Sequence, residues 1–117
     1  MLIGKCKSCE VHGISDVDLK HIKSFLKDAV YEWCSAHNTE ELFAARTLVG
    51  GDKSDWNGTP LQSLYNYYLN GNKDNHDYAV SQAGKAVGHI LMKVLIEDNR
   101  TYETQKGYTR LYRWTGN

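Results

Sequence analysis

Four residues of the sequence have the spacing of a zinc site. Cys6 and Cys9 form a C-x-x-C pair, and Cys34 and His37 form a C-x-x-H pair. Thiolate and imidazole groups are ligands that zinc prefers, and four of them complete a tetrahedral site. The second pair lies at i and i+3 of a predicted helix, so both side chains can point the same way. The sequence therefore raises the hypothesis of a structural zinc held by these four residues.

Chain geometry argues against such a site within one chain. If the helix begins near Asp16, Cys34 lies about 27 Å along its axis, whereas the chain from Cys9 to Asp16 reaches at most roughly 25 Å. The favoured interpretation makes Cys34 a small core residue and leaves Cys6 and Cys9 as reduced thiols, with no cofactor. The four-ligand site stays open, and so does a metal-linked dimer through Cys6, Cys9 and His12 or ligands of another chain.

Motifs of common enzymes are absent from the sequence. There is no G-x-x-x-x-G-K-[ST], no G-x-G-x-x-G, no H-E-x-x-H and no nucleophile elbow. Cys34 and His37 do not make a convincing nucleophile and base, because no third group is identified that would orient the histidine. The sequence therefore predicts a protein that is not an enzyme.

The composition is that of one soluble domain. Of 117 residues, 41% are hydrophobic and 24% are charged, which is ordinary for a folded protein. Fourteen basic residues balance fourteen acidic ones, so no whole-molecule field attracts nucleic acid or a membrane. No apolar run approaches the roughly 20 residues of a membrane span, and residues 1–6 lack a signal peptide's apolar stretch. We expect a cytoplasmic protein without a membrane partner, built from an N-terminal segment (1–14) and one domain (15–117).

Apolar residues at helical spacing predict the first and third of three helices, and Thr59-Pro60, suited to an N-cap and a first helical position, predicts the second. The first follows Ser15, a capping residue, and spans about 16–37. The second spans about 60–69 and the third about 77–96. The apolar stripe of the first helix consists of Ile22, Phe25, Leu26, Ala29, Trp33 and Ala36. That of the third consists of Val80, Ala83, Val87, Ile90, Leu91 and Val94.

Strands are predicted in two places. Residues 42–49 favour a short strand, although this segment can also be read as helical. Two alternating stretches, 100–105 and 108–114, are joined by Lys106-Gly107, and this pattern is typical of a β-hairpin. The predicted order is therefore helix, short strand, helix, helix and hairpin.

This order resembles that of winged-helix domains over roughly residues 16–114. Three segments carry the resemblance: Thr59-Pro60-Leu61, Ala83-Gly84-Lys85-Ala86-Val87-Gly88 and Arg110-Leu111-Tyr112-Arg113-Trp114. The resemblance implies an α+β fold of three helices with a C-terminal β-hairpin wing. In winged-helix proteins the third helix usually enters the major groove and the wing touches the neighbouring backbone. It therefore implies binding of double-stranded DNA through helix 77–96 and hairpin 100–114.

Eight residues of that helix and hairpin are the candidate DNA contacts. Their basic side chains can neutralise phosphates, and Gln82 can contact base edges. Tyr108 can reach sugar or phosphate through its hydroxyl. Tyr112, which is not one of the eight, can do the same. Residues 100–117 carry four basic side chains against Glu103 alone. The candidate set is Gln82, Lys85, His89, Lys93, Lys106, Tyr108, Arg110 and Arg113.

Other features keep a protein partner open. Surface helices commonly carry Lys, Gln and His for solvation alone, so these residues do not require a DNA partner. The alternative function is a protein-interaction module or inhibitor of the same fold, either monomeric or a homodimer. Tyr65, Tyr67 and Tyr68 cannot all face one core, so at least one is expected at the surface or in an interface. Gly84 and Gly88 would let another backbone approach closely, and packing must compensate for their cost to the helix.

Overall fold

Four helices and three strands make up the part of the chain that the structure describes. This computed structural model describes residues 1–3, 14–37, 41–49, 59–71, 76–105 and 110–116. In chain order the elements are β1 (Leu2–Ile3), α1 (Asp16–His37), α2 (Ala45–Val49), α3 (Gln62–Gly71), α4 (His76–Glu97), β2 (Tyr102–Gln105) and β3 (Leu111–Trp114). The fold is mixed α+β, with the hairpin at its C-terminal end.

The first helix, α1, has the predicted bounds but a rotated buried face. Ser15 Oγ accepts a hydrogen bond from the Asp18 amide at 3.1 Å, which satisfies one free donor of the first turn. The buried row consists of Ile22, Leu26, Val30 and Cys34. The predicted stripe is therefore partly wrong: Phe25 and Trp33 are half-buried and Ala36 is exposed. Phe25 and Trp33 lie beside the buried row and cover the edges of the core. The size of the apolar residues therefore did not reveal which of them lie at the centre of the core.

The longest apolar surface belongs to α4, which packs against both α1 and α3. Its bounds differ from the predicted ones by a single residue at each end. Its buried residues are Ala79, Ala83, Ala86, Val87, Ile90, Leu91, Met92, Val94 and Leu95. The predicted apolar side is confirmed, except that Val80 is half-buried. Within the described ranges, no helix is long and apolar enough to cross a membrane.

Within segment 42–49, the short helix α2 (Ala45–Val49) forms, and the predicted strand is wrong apart from one residue pair. Phe43 makes an antiparallel bridge with Tyr112, through hydrogen bonds of 2.8 and 2.7 Å. Directly afterwards the Ala44 amide donates to Thr47 Oγ1 at 3.1 Å, and the chain turns into α2. Because the ring of Phe43 is buried in the core, the contact with β3 is limited to this residue.

The three strands form a sheet of order β1-β2-β3. β1 is parallel to β2, and β2 is antiparallel to β3. The hairpin is confirmed with shorter strands, since β3 begins at Leu111, while residues 106–109 lie outside the described part. The sequence predicts no element within residues 1–14, because a strand of two residues has no period to detect. The Met1 amino group donates to the carbonyl oxygens of Leu95, Asp98 and Arg100, beside the C-terminal end of α4.

A buried carboxylate joins α1, α4 and the sheet. Asp98, directly after α4, is 8% exposed. Its oxygens accept hydrogen bonds from the hydroxyls of Tyr31 and Tyr102, both at 2.7 Å, and from the Asn99 amide at 2.8 Å. Arg100 lies over the ring of Tyr31, with its Cζ 3.9 Å from the ring centroid. We call Asp98, Tyr31 and Tyr102 the carboxylate cluster.

The pKa values in this cluster follow from its hydrogen bonds. Burial by itself raises the pKa of Asp98, but the hydroxyls of Tyr102 and Tyr31 and the Asn99 amide outweigh burial and hold that pKa below its ordinary value. Burial and the bond to Asp98 raise the pKa of Tyr102 far above its usual range. At neutral pH the cluster therefore contains one carboxylate and two protonated phenols.

Asp98 is expected to make folding stability depend on acid pH. The pKa of Asp98 is lower in the folded protein than its ordinary value of 3.8. The contribution of Asp98 to folding stability is therefore present above that ordinary value and is lost as pH falls through the folded-state pKa. Urea unfolding at neutral and acid pH would measure the free energy of unfolding of the wild-type protein and of Asp98→Asn. The wild-type protein should be the more stable at neutral pH, and this difference should shrink as pH falls. An advantage that stays constant with pH would contradict this prediction.

Candidate nucleic-acid interface

The predicted polar residues of α4 lie on one side of this helix. Lys85 is exposed, and Gln82, His89 and Lys93 are half-buried. These positions recur every three or four residues, so they lie in one row about 16 Å long. We call these four residues the α4 row. The structure thus brings four of the eight candidate DNA contacts to one face.

The charged side chains of the α4 row, Lys85 and Lys93, are both positive. Between Tyr78 and Ile96 the helix contains no acidic residue, and its acids are confined to Asp77 and Glu97 at the two ends. Solvated helix faces ordinarily mix both signs, as α1 does with Asp28 and Glu32 among its lysines. The polar side of α4 is therefore a small surface suited to an anionic partner.

Gly84 and Gly88 do not serve packing inside the described part of the chain. A Cβ built at either position has nothing within 4 Å. Among the described residues, no other backbone approaches the helix closely at these two positions, as the glycines would have allowed. A glycine inside a helix costs about 1 kcal/mol relative to alanine. At 100° per residue, Gly84 lies about 140° and Gly88 about 100° around the helix from the centre of the α4 row, so neither glycine belongs to that face.

Alanine at either glycine is expected to stabilise the protein. Gly84→Ala and Gly88→Ala should each raise the free energy of unfolding by about 0.5–1 kcal/mol, because alanine loses less backbone entropy in a helix and the added methyl group meets open space. Urea or thermal unfolding would measure the change. A loss of stability in either variant would show that something in the folded chain packs against that position.

The hairpin candidates are engaged within the hairpin. The guanidinium of Arg113 pairs with the carboxylate of Glu103, directly opposite on β2. Arg110 donates to Thr104 Oγ1 at 3.3 Å. Both side chains are thus held against β2, and Glu103 neutralises part of the positive charge. Lys106 and Tyr108 lie outside the described residues.

Tyr112 is not available as a DNA contact. Its side chain is 2% exposed, and its ring lies 5.8 Å from that of Phe43 in the core. The interpretation of Tyr112 as a sugar or phosphate contact is therefore wrong. Alternation along β3 explains this, because Tyr112 and Arg113 point to opposite faces of the sheet.

The zinc candidates in the described part have other surroundings. Cys34 is buried in the core, as favoured from the sequence, and burial raises the pKa of its thiol, which disfavours the metal-binding thiolate. The His37 ring stacks on Trp33 with 3.6 Å between centroids, and its Nε2 lies 3.9 Å from the Glu41 carboxylate. Among the described residues no three His, Cys, Asp or Glu side chains could hold a metal ion. Cys6, Cys9 and His12 lie outside them, so the four-ligand zinc site stays a prediction.

A cluster of tyrosines lies at the N-terminal end of the α4 row. Tyr67 is 43% and Tyr78 40% exposed, which confirms the expected surface tyrosine on the second predicted helix. The rings of Tyr67 and Tyr68 meet edge to face with 5.0 Å between centroids. Burial raises the pKa of Tyr68, and the neighbouring phenols of Tyr67 and Tyr78 raise it further. We call Tyr67, Tyr68 and Tyr78 the tyrosine patch.

Comparison with known proteins adds no relative. No protein-family model matches the chain, and no curated protein or solved structure matches it. The fold and its surfaces define a small α+β protein with one acid-free helix face. A function must therefore be argued from the residues of that face.

Proposed function

We propose that the protein binds double-stranded DNA, with the α4 row in the major groove and the hairpin against the neighbouring backbone. The observation that carries the proposal is the polar side of α4, where Lys85 and Lys93 lie on the same face as Gln82 and His89, on a helix that has no acidic residue between Tyr78 and Ile96. DNA is the partner that matches both features, because it is a polyanion and its groove admits a helix.

The dimensions of α4 suit the major groove. The groove is about 12 Å wide, close to the diameter of a helix with its side chains. A row of about 16 Å is long enough to follow the groove past several base pairs.

Each member of the α4 row has a role that its chemistry suits. Lys85 and Lys93 neutralise phosphates and release counterions. Gln82 carries the amide that pairs with the donor and acceptor of adenine. The ring N–H of His89 donates to a phosphate or a base edge.

The topology supports a winged-helix assignment. Phe43 follows α1 and bridges to the outer edge of β3, where the resemblance implies a short strand. The hairpin then follows α4 directly, as a wing follows the third helix. The strand β1 and the helix α2 are additions to the predicted pattern.

A titration against duplex DNA tests the proposal. The purified protein is added to a fluorescently labelled duplex of random sequence at low and at moderate salt, and anisotropy reports binding. We expect an affinity that weakens steeply with salt, since each neutralised phosphate contributes a slope of about 0.9. Absence of binding at low salt would refute the proposal and favour the protein-interaction alternative.

A further inference from the structure

We infer that Arg100 and Lys27 together bind a phosphate group. Both side chains contact the ring of Tyr31, and within the described part of the chain the guanidinium of Arg100 meets no hydrogen-bond acceptor. Neither residue is one of the eight candidate DNA contacts, so the inference does not rest on the proposed function.

Tyr31 provides a fixed platform for the two cations. Its hydroxyl donates to Asp98 Oδ1 at 2.7 Å, which anchors the ring. Arg100 Cζ lies 3.9 Å and Lys27 Nζ 5.7 Å from the ring centroid, so the two charges cannot be farther apart than these two distances together. An anion that meets both cations would relieve their mutual repulsion.

Arg100 is held in place, yet its hydrogen-bonding groups remain available. The ring of Trp114 lies 4.6 Å from its Cζ, and the residue is half-buried. Contacts with rings use the flat faces of a guanidinium, whereas its five N–H groups point outward in its own plane. Among the described side chains, the fully buried nitrogens without a partner are those of Trp33 and Trp114, so the guanidinium nitrogens are reachable from solvent. A guanidinium fixed in this way loses little freedom when it binds an anion.

The neighbouring carboxylates already have other partners. Asp98 accepts hydrogen bonds from two tyrosine hydroxyls and a backbone amide, and it is 8% exposed. Glu97 pairs with Lys23 at 3.4 Å. Neither carboxylate is hydrogen-bonded to Arg100 or Lys27, which leaves the place of an acceptor to an external anion.

A phosphate suits these two cations better than a carboxylate does. The guanidinium pairs with two oxygens in a bidentate geometry. A carboxylate then has no third oxygen for the ammonium group, whereas a phosphate has one. Lys27 is exposed, and its flexible side chain can bring the ammonium group to that oxygen.

A groove beside Lys27 leaves room for the rest of a phosphate ester. It has a volume of about 410 Å³, lies between α1 and the end of α4, and has Leu19 and Val94 in its wall. Small-molecule sites commonly have such a volume and apolar walls. Asp16 also lines this groove, but it lies about 16 Å along α1 from Lys27, too far to oppose a phosphate there.

An NMR titration of the isotope-labelled full chain at constant ionic strength tests the inference. Inorganic phosphate, phenyl phosphate and acetate are added separately, and the Nε–H signal of Arg100 is followed. We expect this signal to shift and saturate with both phosphates, and acetate to bind about tenfold more weakly. Tighter binding of phenyl phosphate than of inorganic phosphate would identify the ligand as an ester that uses the groove, whereas equal affinities would identify it as the phosphate group alone.

Two substitutions test the two cations, with the indole N–H signal of Trp114 as the readout. Arg100→Lys keeps the charge but loses the bidentate geometry, and Lys27→Gln removes an exposed charge. Each should weaken phosphate binding about tenfold. The matched control Lys85→Gln, on α4, should leave phosphate affinity unchanged.

Three results would overturn the inference and leave the proposed function intact. The first is an Arg100 signal that responds to neither phosphate. The second is equal affinity for phosphate and acetate, or a phosphate affinity that both substitutions leave unchanged. The third is an Arg100 signal that responds to duplex DNA but to neither phosphate, which would make this residue a DNA contact instead.

Discussion

Replacing Asp98 by alanine is expected to lower the free energy of unfolding by about 3 kcal/mol. The substitution leaves the hydroxyl of Tyr102 without its acceptor, and that side chain is fully buried, so water does not readily take the place of the carboxylate. It also removes the acceptor of the Tyr31 hydroxyl, the bond that ties the middle of α1 to the end of α4. Urea unfolding followed by circular dichroism would measure the loss. Such a loss is a large share of the 5–15 kcal/mol that is typical of a domain.

Two comparison variants distinguish the loss of the hydrogen bonds in the carboxylate cluster from the loss of a negative charge alone. Asp98→Asn keeps one oxygen acceptor and should cost less than alanine. Asp28→Ala removes an exposed carboxylate from α1 and should change stability by no more than about 0.5 kcal/mol. If Asp98→Ala cost no more than Asp28→Ala, the buried phenols would have found other partners.

Reversing two charges, Lys85→Glu together with Arg110→Glu, is expected to lower DNA affinity about 100-fold at low salt. Each change removes a cation from the proposed surface and places a carboxylate against the phosphates. The dependence of affinity on salt should also flatten, by about one unit of slope for each lost phosphate contact. Titrations at several salt concentrations would measure both effects.

The matched control for this variant is Lys20→Glu, which reverses the charge of an exposed lysine on α1. It should change DNA affinity much less than the double variant, even after allowance for one charge instead of two. Equal losses per charge would mean that DNA responds to overall charge and not to the α4 row. An unchanged affinity and salt slope in the double variant would refute the proposed interface.

The glycine variants connect stability with binding. Gly84→Ala and Gly88→Ala are expected to stabilise the free protein, and because both positions lie outside the α4 row, neither should weaken DNA binding. The same proteins can therefore be used in both the unfolding and the DNA titrations.

Long periodic segments were predictable from the sequence. The bounds of α1 and α4 agree with the predicted ones to within a residue because each spans 22 residues, over which a period of 3.6 is unmistakable. The short apolar segment at 42–49 was ambiguous between strand and helix for the opposite reason. Its structure depends on Phe43, whose burial and bridge to Tyr112 involve a residue far away in the chain.

By itself, the sequence determined the α+β class, the order of the longer helices and the hairpin, and the polar side of α4. All of these depend on side-chain patterns within one segment. Only the tertiary structure decided that Asp98 is a buried acceptor for two tyrosines, that a Cβ at Gly84 or Gly88 would meet no described atom within 4 Å, and that the rings of Tyr67 and Tyr68 meet edge to face. These facts depend on which segments meet in space, and burial, hydrogen bonding and access arise only when the helices and the sheet pack together.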